Sequence, residues 1–360
     1  MKFRADIQGL RALAVLLVIA HHAFPEVVPG GFFGVDIFFV ISGYIITQIL
    51  LRDQNKPLSK LLIDFYARRI RRILPSALLV IAGSTITSYL LLGSITGADT
   101  ARDAFFATLF VANIHFNSLA IDYFTSGLPQ PILQHYWSLA IEEQFYLIWP
   151  LLFALSIRFR KTALLLVSII SVISFIWAIS EIASGSGLAY FSTLTRVWEL
   201  GAGAALALTR KQFSGNLMGY FSLAAILFLS VLFTPATEFP GFPALLVVFL
   251  TALLLLFGSE NRVLKSRPLI YLGDISFLLY LVHWPVLQIH KIYFGRDANV
   301  LETGLLITFI FVLSSLLHKN FENPIRYSTT LTRKPVMTIV CGAIMIVGSA
   351  IVFNLLRGNI

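Results

Sequence analysis

Charge is what this sequence lacks. Only 12% of its 360 residues are Asp, Glu, Lys or Arg, while 57% are hydrophobic. A soluble globular domain carries about 25% charged and about 45–50% apolar residues, so that class is excluded. Cysteine is nearly absent too. A lone Cys341 forms no internal disulfide. No cysteine cluster and no His-x-x-x-His pair offers metal-ligand spacing, and the adjacent His21 and His22 point to different helix faces, so no metal site is expected. Short segments of alternating polarity are missing, which argues against a transmembrane β-barrel. There is no linker, no low-complexity tract and no convincing internal repeat. The basic start MKFRADIQGLRAL leads into an apolar run without a small-residue cleavage site, which reads as an uncleaved first helix.

What the chain has instead is long apolar runs, recurring to its C-terminus. Spans are predicted near 10–26, 32–50, 73–92, 136–156, 162–181, 191–208, 217–233, 243–257, 268–289, 301–318 and 336–356. The expected fold is all-α: a polytopic integral membrane helical bundle of about eleven transmembrane helices plus one re-entrant or interfacial helix. That last element is 104–121, an apolar stretch interrupted by Asn113, His115, Asn117 and Ser118. Charge decides its status. If it does not cross, 22 of the 27 lysines and arginines fall on one side, with the N-terminus. Positive residues favour cytoplasmic loops, so the N-terminus is expected inside and the C-terminus outside. The net charge of +9 is then a topology signal, and no nucleic-acid partner is expected.

The polar intrusions converge on the first fifty residues. An ionisable group inside hydrocarbon costs about 2.5–3.5 kcal/mol on insertion scales unless it is paired or faces a wet cavity. The first span nevertheless carries Arg11 at its base and His22 near its far end, about 16 Å apart along a helix axis. The second carries Asp36, with Val40, Gly43 and Thr47 on the same face. In HYWSLAIEEQFYLIWP, Glu142 and Glu143 enter the fourth span together; in the sixth, Arg196 and Glu199 sit at i,i+3 and can pair. In the ninth, Ser276, Tyr280 and His283 share a face. On the other side lies DFYARRIRRILP, whose Arg68, Arg69, Arg71 and Arg72 serve either as a topology and lipid-phosphate cluster or as a surface for a polyanion.

These motifs, in this order, resemble the acyltransferase-3 family of membrane O-acyltransferases that modify bacterial surface sugars. The likeness rests on DIQGLRALAV with Arg11 and His22 ten residues apart in between, FFGVDIFFVISGYIIT, FYARRIRRILP, YWSLAIEEQFYLIWP, YLVHWPV and FENPIR. It covers 1–327, leaving 328–360 as a cytoplasmic loop and an eleventh span. The resemblance implies transfer of an acyl group, usually acetyl from acetyl-CoA, to a hydroxyl of a surface glycan or lipid-linked oligosaccharide, such as lipopolysaccharide O-antigen. It implies a bacterial cytoplasmic (inner) membrane and no bound cofactor, acetyl-CoA being a substrate. Family members often carry an extracytoplasmic SGNH-type domain; the sequence ends at Ile360 without one, which reads either as a stand-alone member, served by a separate SGNH-type partner beside membrane lipid, or as part of a longer protein.

Within that reading, Arg11 and the Arg68–Arg72 cluster hold CoA phosphates, and His22 acts as general base or transient acyl carrier. Asp36 or Glu142 orients the imidazole, with Glu142 favoured over Glu143 by the family's WSL-x-x-Glu spacing. Arg196, or the Tyr280–His283 face, stabilises the oxyanion. The competing readings are a transporter or acyl-donor permease feeding a separate extracytoplasmic transferase, and a membrane anchor for a partner enzyme.

Overall fold

The computed structural model describes residues 4–119, 130–156, 160–185, 189–209, 213 and 216–358. Among them there is no strand. The helices follow the apolar runs: α1 (Ala5–Ala23), α2 (Gly34–Asp53), α3 (Leu58–Leu92), α4 (Ser94–Thr108), α5 (Ala112–Ser118), α6 (Tyr136–Ser156), α7 (Arg160–Ala183), α8 (Thr193–Thr209), α9 (Asn216–Leu232), α10 (Phe242–Phe257), α11 (Arg267–Phe294), α12 (Val300–Leu317), α13 (Asn323–Arg326), α14 (Thr329–Arg333) and α15 (Pro335–Leu356). One 3₁₀ turn, Gly31–Phe33, leads into α2, a second, Gly258–Glu260, follows α10, and a π-helical turn, His318–Glu322, joins α12 to α13.

Eight helices are long and apolar enough to cross a membrane among the described residues, fewer than the eleven spans predicted. The shortfall has local causes. Asp6, Arg11 and the two histidines dilute the apolarity of α1, and α8 and α9 are only 17 residues each. The 104–121 segment is broken: α4 ends at Thr108, Phe110 adopts a left-handed φ of 55°, and α5 restarts at Ala112. Neither piece is of crossing length; residues 120 and 121 lie outside the described residues, as do Lys2, Arg158, Arg210 and Lys211. A second departure is α3. Its helix does not begin near residue 73 but at Leu58, so Arg68 to Arg72 ride on a 35-residue helix rather than in a loop, with Pro75 inside it.

The chain forms two compact units. The first comprises 4–55 and 141–277, the second 56–119, 130–140 and 278–358, within the described residues. In the first, α2 packs along α8, and glycine makes that possible. A Cβ on Gly43 would collide with the Leu200 carbonyl, and one on Gly203 with the Val40 carbonyl. Small residues at such crossings let helix backbones approach where no hydrophobic effect drives association. In the second unit α3 packs against α4 and α15.

Candidate active site

In the first unit the polar residues of the spans meet one another. Arg196 on α8 and Asp36 on α2 are both wholly buried, and Arg196 Nη1 donates to Asp36 Oδ1 at 3.1 Å. The same nitrogen lies 2.8 Å from Glu199 Oε1, also wholly buried. The guanidinium carbon sits 5.2 Å from the Tyr190 ring centre and 5.5 Å from that of Phe39. Asp36 is therefore engaged by an arginine rather than by an imidazole. The i,i+3 pair Arg196–Glu199 read from the sequence is present, with Asp36 as its third member.

A second carboxylate, Glu142 on α6, is held by two hydroxyls. Ser42 of α2 donates to Oε1 at 2.8 Å, and Tyr146 donates to Oε2 at 3.0 Å. One turn further along α2, Thr47 accepts from Trp149 Nε1 at 2.8 Å. Thus α6 is registered on α2 by polar contacts, the geometry in which a carboxylate keeps a fixed direction.

The two histidines of α1 have separate fates. His21 is buried, its Nδ1 is 3.3 Å from the Val28 carbonyl, and its ring meets the edge of Phe32 at 5.4 Å. This ties the end of α1 to the turn that follows. His22 is half-buried, with its ring centre 5.2 Å from that of His21. Nearer the start of the helix, Arg11 is buried and donates to Gln8 Oε1 at 3.0 Å.

The second unit holds the remaining predicted residues. Tyr280 and Ser138 hydroxyls are 2.6 Å apart, and Tyr280 also donates to the His135 carbonyl at 3.0 Å. His283 is fully buried, and its Nδ1 donates to the Tyr280 carbonyl at 2.6 Å. His135 lies just ahead of α6, with its ring centre 5.9 Å from that of His283 and its Nε2 donating to the Leu281 carbonyl at 3.0 Å. Burial, then the neighbouring His283, hold His135 well below the usual imidazole range. Of the four arginines, Arg71 is buried and donates to the Leu331 carbonyl at 3.2 Å, which gives it a structural task. Arg68, Arg69 and Arg72 are half-buried. No group of three or more metal-ligating side chains occurs among the described residues.

The comparisons with known proteins bear on this geometry. A family model described as an acyltransferase domain, that of the acyltransferase-3 family, matches residues 4–319. The chain belongs to the acyltransferase-3 family. Among curated relatives it is 31% identical over 350 residues to the peptidoglycan O-acetyltransferase OatA of Listeria monocytogenes, covering 90% of this chain and 56% of that protein. It is 36% identical over 315 residues to the putative peptidoglycan O-acetyltransferase YrhL of Bacillus subtilis, covering 79% and 49%. Against the O-acetyltransferase OatA of Staphylococcus aureus it is 29% identical over 351 residues, covering 90% and 57%. The chain thus spans about half the length of these relatives. No solved structure matches it.

The matched stretch contains the first unit and the second as far as residue 319, and with them every candidate site residue. The contacts add three that the sequence reading passed over in this role. Ser42 holds Glu142; Tyr146 holds it from the other side; and Ser138 holds Tyr280.

Proposed function

We propose that this chain is the transmembrane part of an O-acetylation system and catalyses acyl transfer to a hydroxyl of a cell-envelope glycan. The acyl group is acetyl and the donor acetyl-CoA. Two relatives are named for peptidoglycan, which favours that polymer over the lipopolysaccharide O-antigen suggested by family resemblance alone. The reading rests on one observation: α1, carrying Arg11 and His22, belongs to the same unit as a carboxylate that two hydroxyls hold in place.

In this reading His22 takes the proton of the attacking hydroxyl. The new acyl–oxygen bond forms as the acyl–sulfur bond of the thioester breaks, and the proton ends on the departing thiolate. Glu142 fixes and balances the imidazole, and Arg11 is assigned to donor phosphate. Arg68, Arg69, Arg71 and Arg72 also suit phosphate, Arg71 with one nitrogen already committed to the Leu331 carbonyl. Arg196 is placed by Asp36 and Glu199 and is the candidate for oxyanion support. Tyr280 and His283 are assigned to the acceptor side. The N-terminus is assigned to the cytoplasm and the membrane to the bacterial inner membrane, on the charge of the loops.

The test is reconstitution into vesicles with acetyl-labelled CoA and soluble peptidoglycan fragments. Label is expected on the glycan with wild type and at background with His22→Ala. Equal transfer by both proteins removes His22 from the mechanism. Label crossing into the vesicle without thioester cleavage supports the permease reading instead.

A further inference from the structure

We propose that the second unit holds one acyl chain of a bilayer phospholipid in a groove formed by α3, α11 and α12, a site independent of the acetyl-transfer reading. The groove encloses about 630 Å³, within the range of about 300–1,000 Å³ common for small-molecule sites. Its walls run from Leu79 to Leu91 on α3, from Val282 to Phe294 on α11 and from Leu306 to Leu317 on α12. At 1.5 Å per residue these stretches are about 16–18 Å long. Half of a hydrocarbon core of about 30 Å is about 15 Å, so the groove has the depth of one leaflet.

The lining matches a lipid tail in chemistry as well as length. Nearly all of it is aliphatic or aromatic, and Thr87 spends its hydroxyl on the Gly83 carbonyl of its own helix. Polar character returns at one end of the α11 wall, where His290 lines the groove beside half-exposed Tyr293. There Lys291, near the end of α11, pairs with Asp297 of the α11–α12 turn at 2.8 Å, and Arg296 of the turn pairs with Glu302 of α12 at 2.7 Å. Such a belt of tyrosine and paired charges suits the headgroup level of a membrane. All three walls are helices of crossing length, so hydrocarbon is the medium that reaches the groove. A polyprenyl carrier chain is several times longer than one leaflet is deep, which is why the commitment is to a phospholipid.

Glycine supplies the test. A Cβ on Gly83, which lines the groove, meets nothing within 4 Å, and the same is true of Gly348 on α15, outside the groove. The protein is placed in phosphatidylglycerol vesicles bearing a photoactivatable group near the acyl-chain terminus, irradiated, and its labelled peptides mapped. Labelling is expected to concentrate at Val282 and Leu317, at the end of the groove away from His290, to be lost in Gly83→Trp and to persist in Gly348→Trp. Leu313→Ala, which widens the groove instead of filling it, is expected to raise the labelling. Even labelling of α12 and α15, or groove labelling unchanged by Gly83→Trp, overturns the site. Displacement of the labelled phospholipid by equimolar polyprenyl phosphate overturns its assignment.

Discussion

Arg196 on α8 donates to Asp36 on α2 with both side chains at zero exposure, and Glu199 completes the cluster from one turn below. Removing one member of a buried charge cluster costs about 3–5 kcal/mol, because the others remain buried and uncompensated. Arg196→Met is therefore expected to lower the unfolding temperature sharply in detergent. Adding Asp36→Asn and Glu199→Gln to it is expected to recover much of the loss, since no charge then remains to be stranded. Thermal unfolding of the single and triple variants decides this; a triple variant as unstable as the single one refutes it.

The α2–α8 crossing gives a second expectation. A methyl group on Gly43 has no room against the Leu200 carbonyl, and the obstacle is backbone, which cannot rotate away. Overpacking of this kind costs about 1–3 kcal/mol. Gly43→Ala should lower stability and displace the neighbouring Ser42, whereas Gly348→Ala, in open space, should do neither. Equal unfolding temperatures for the two variants would mean that the helices part freely.

Much of this arrangement was legible in the sequence, for a physical reason. Charges in apolar runs are expensive, so Arg11, Asp36, Glu142 and Arg196 announced themselves, and Arg196–Glu199 followed from helical spacing alone. What did not follow was partner choice across helices. Nothing in the period of α2 says that Asp36 meets Arg196, or that Glu142 meets Ser42, because crossing geometry is set by Gly43 and Gly203 on two segments 160 residues apart. The α3 boundary failed differently. Arginines lower hydropathy but are good helix formers, so the apolar run ends near residue 73 while the helix continues back to Leu58.

Ser42 is argued to position Glu142, and the third prediction separates that role from mere packing. A hydrogen bond to a charged acceptor is worth about 1.5–3 kcal/mol, so Ser42→Ala should lower the acetyl-transfer kcat by roughly tenfold to a hundredfold. KM for acetyl-CoA should stay near its wild-type value, and Ser42→Thr, which keeps the hydroxyl, should restore most of the rate. A matched loss in the Ser42→Thr variant, or a change confined to KM, would assign Ser42 to packing instead.

The fourth prediction concerns pH and lies outside the spanning helices. Asp103 on α4 and His115 on α5 form a buried pair, 2.9 Å between Oδ1 and Nε2, with Phe106 stacked on the imidazole at 4.1 Å. Burial holds the Asp103 carboxyl above its usual range, and the hydrogen bond from His115 only partly opposes it. A carboxyl whose folded value exceeds its unfolded one binds its proton more tightly in the native state. Its contribution to stability is complete below about pH 4 and is lost as pH rises through the raised folded value. Asp103→Asn removes that titration while its amide oxygen still accepts from His115. The unfolding temperature of the variant should therefore gain on that of wild type as pH is raised from about 4. A gap that stays constant with pH, or narrows, would show that ionised Asp103 is not penalised by its surroundings and that the broken α4–α5 segment is held by its apolar packing alone.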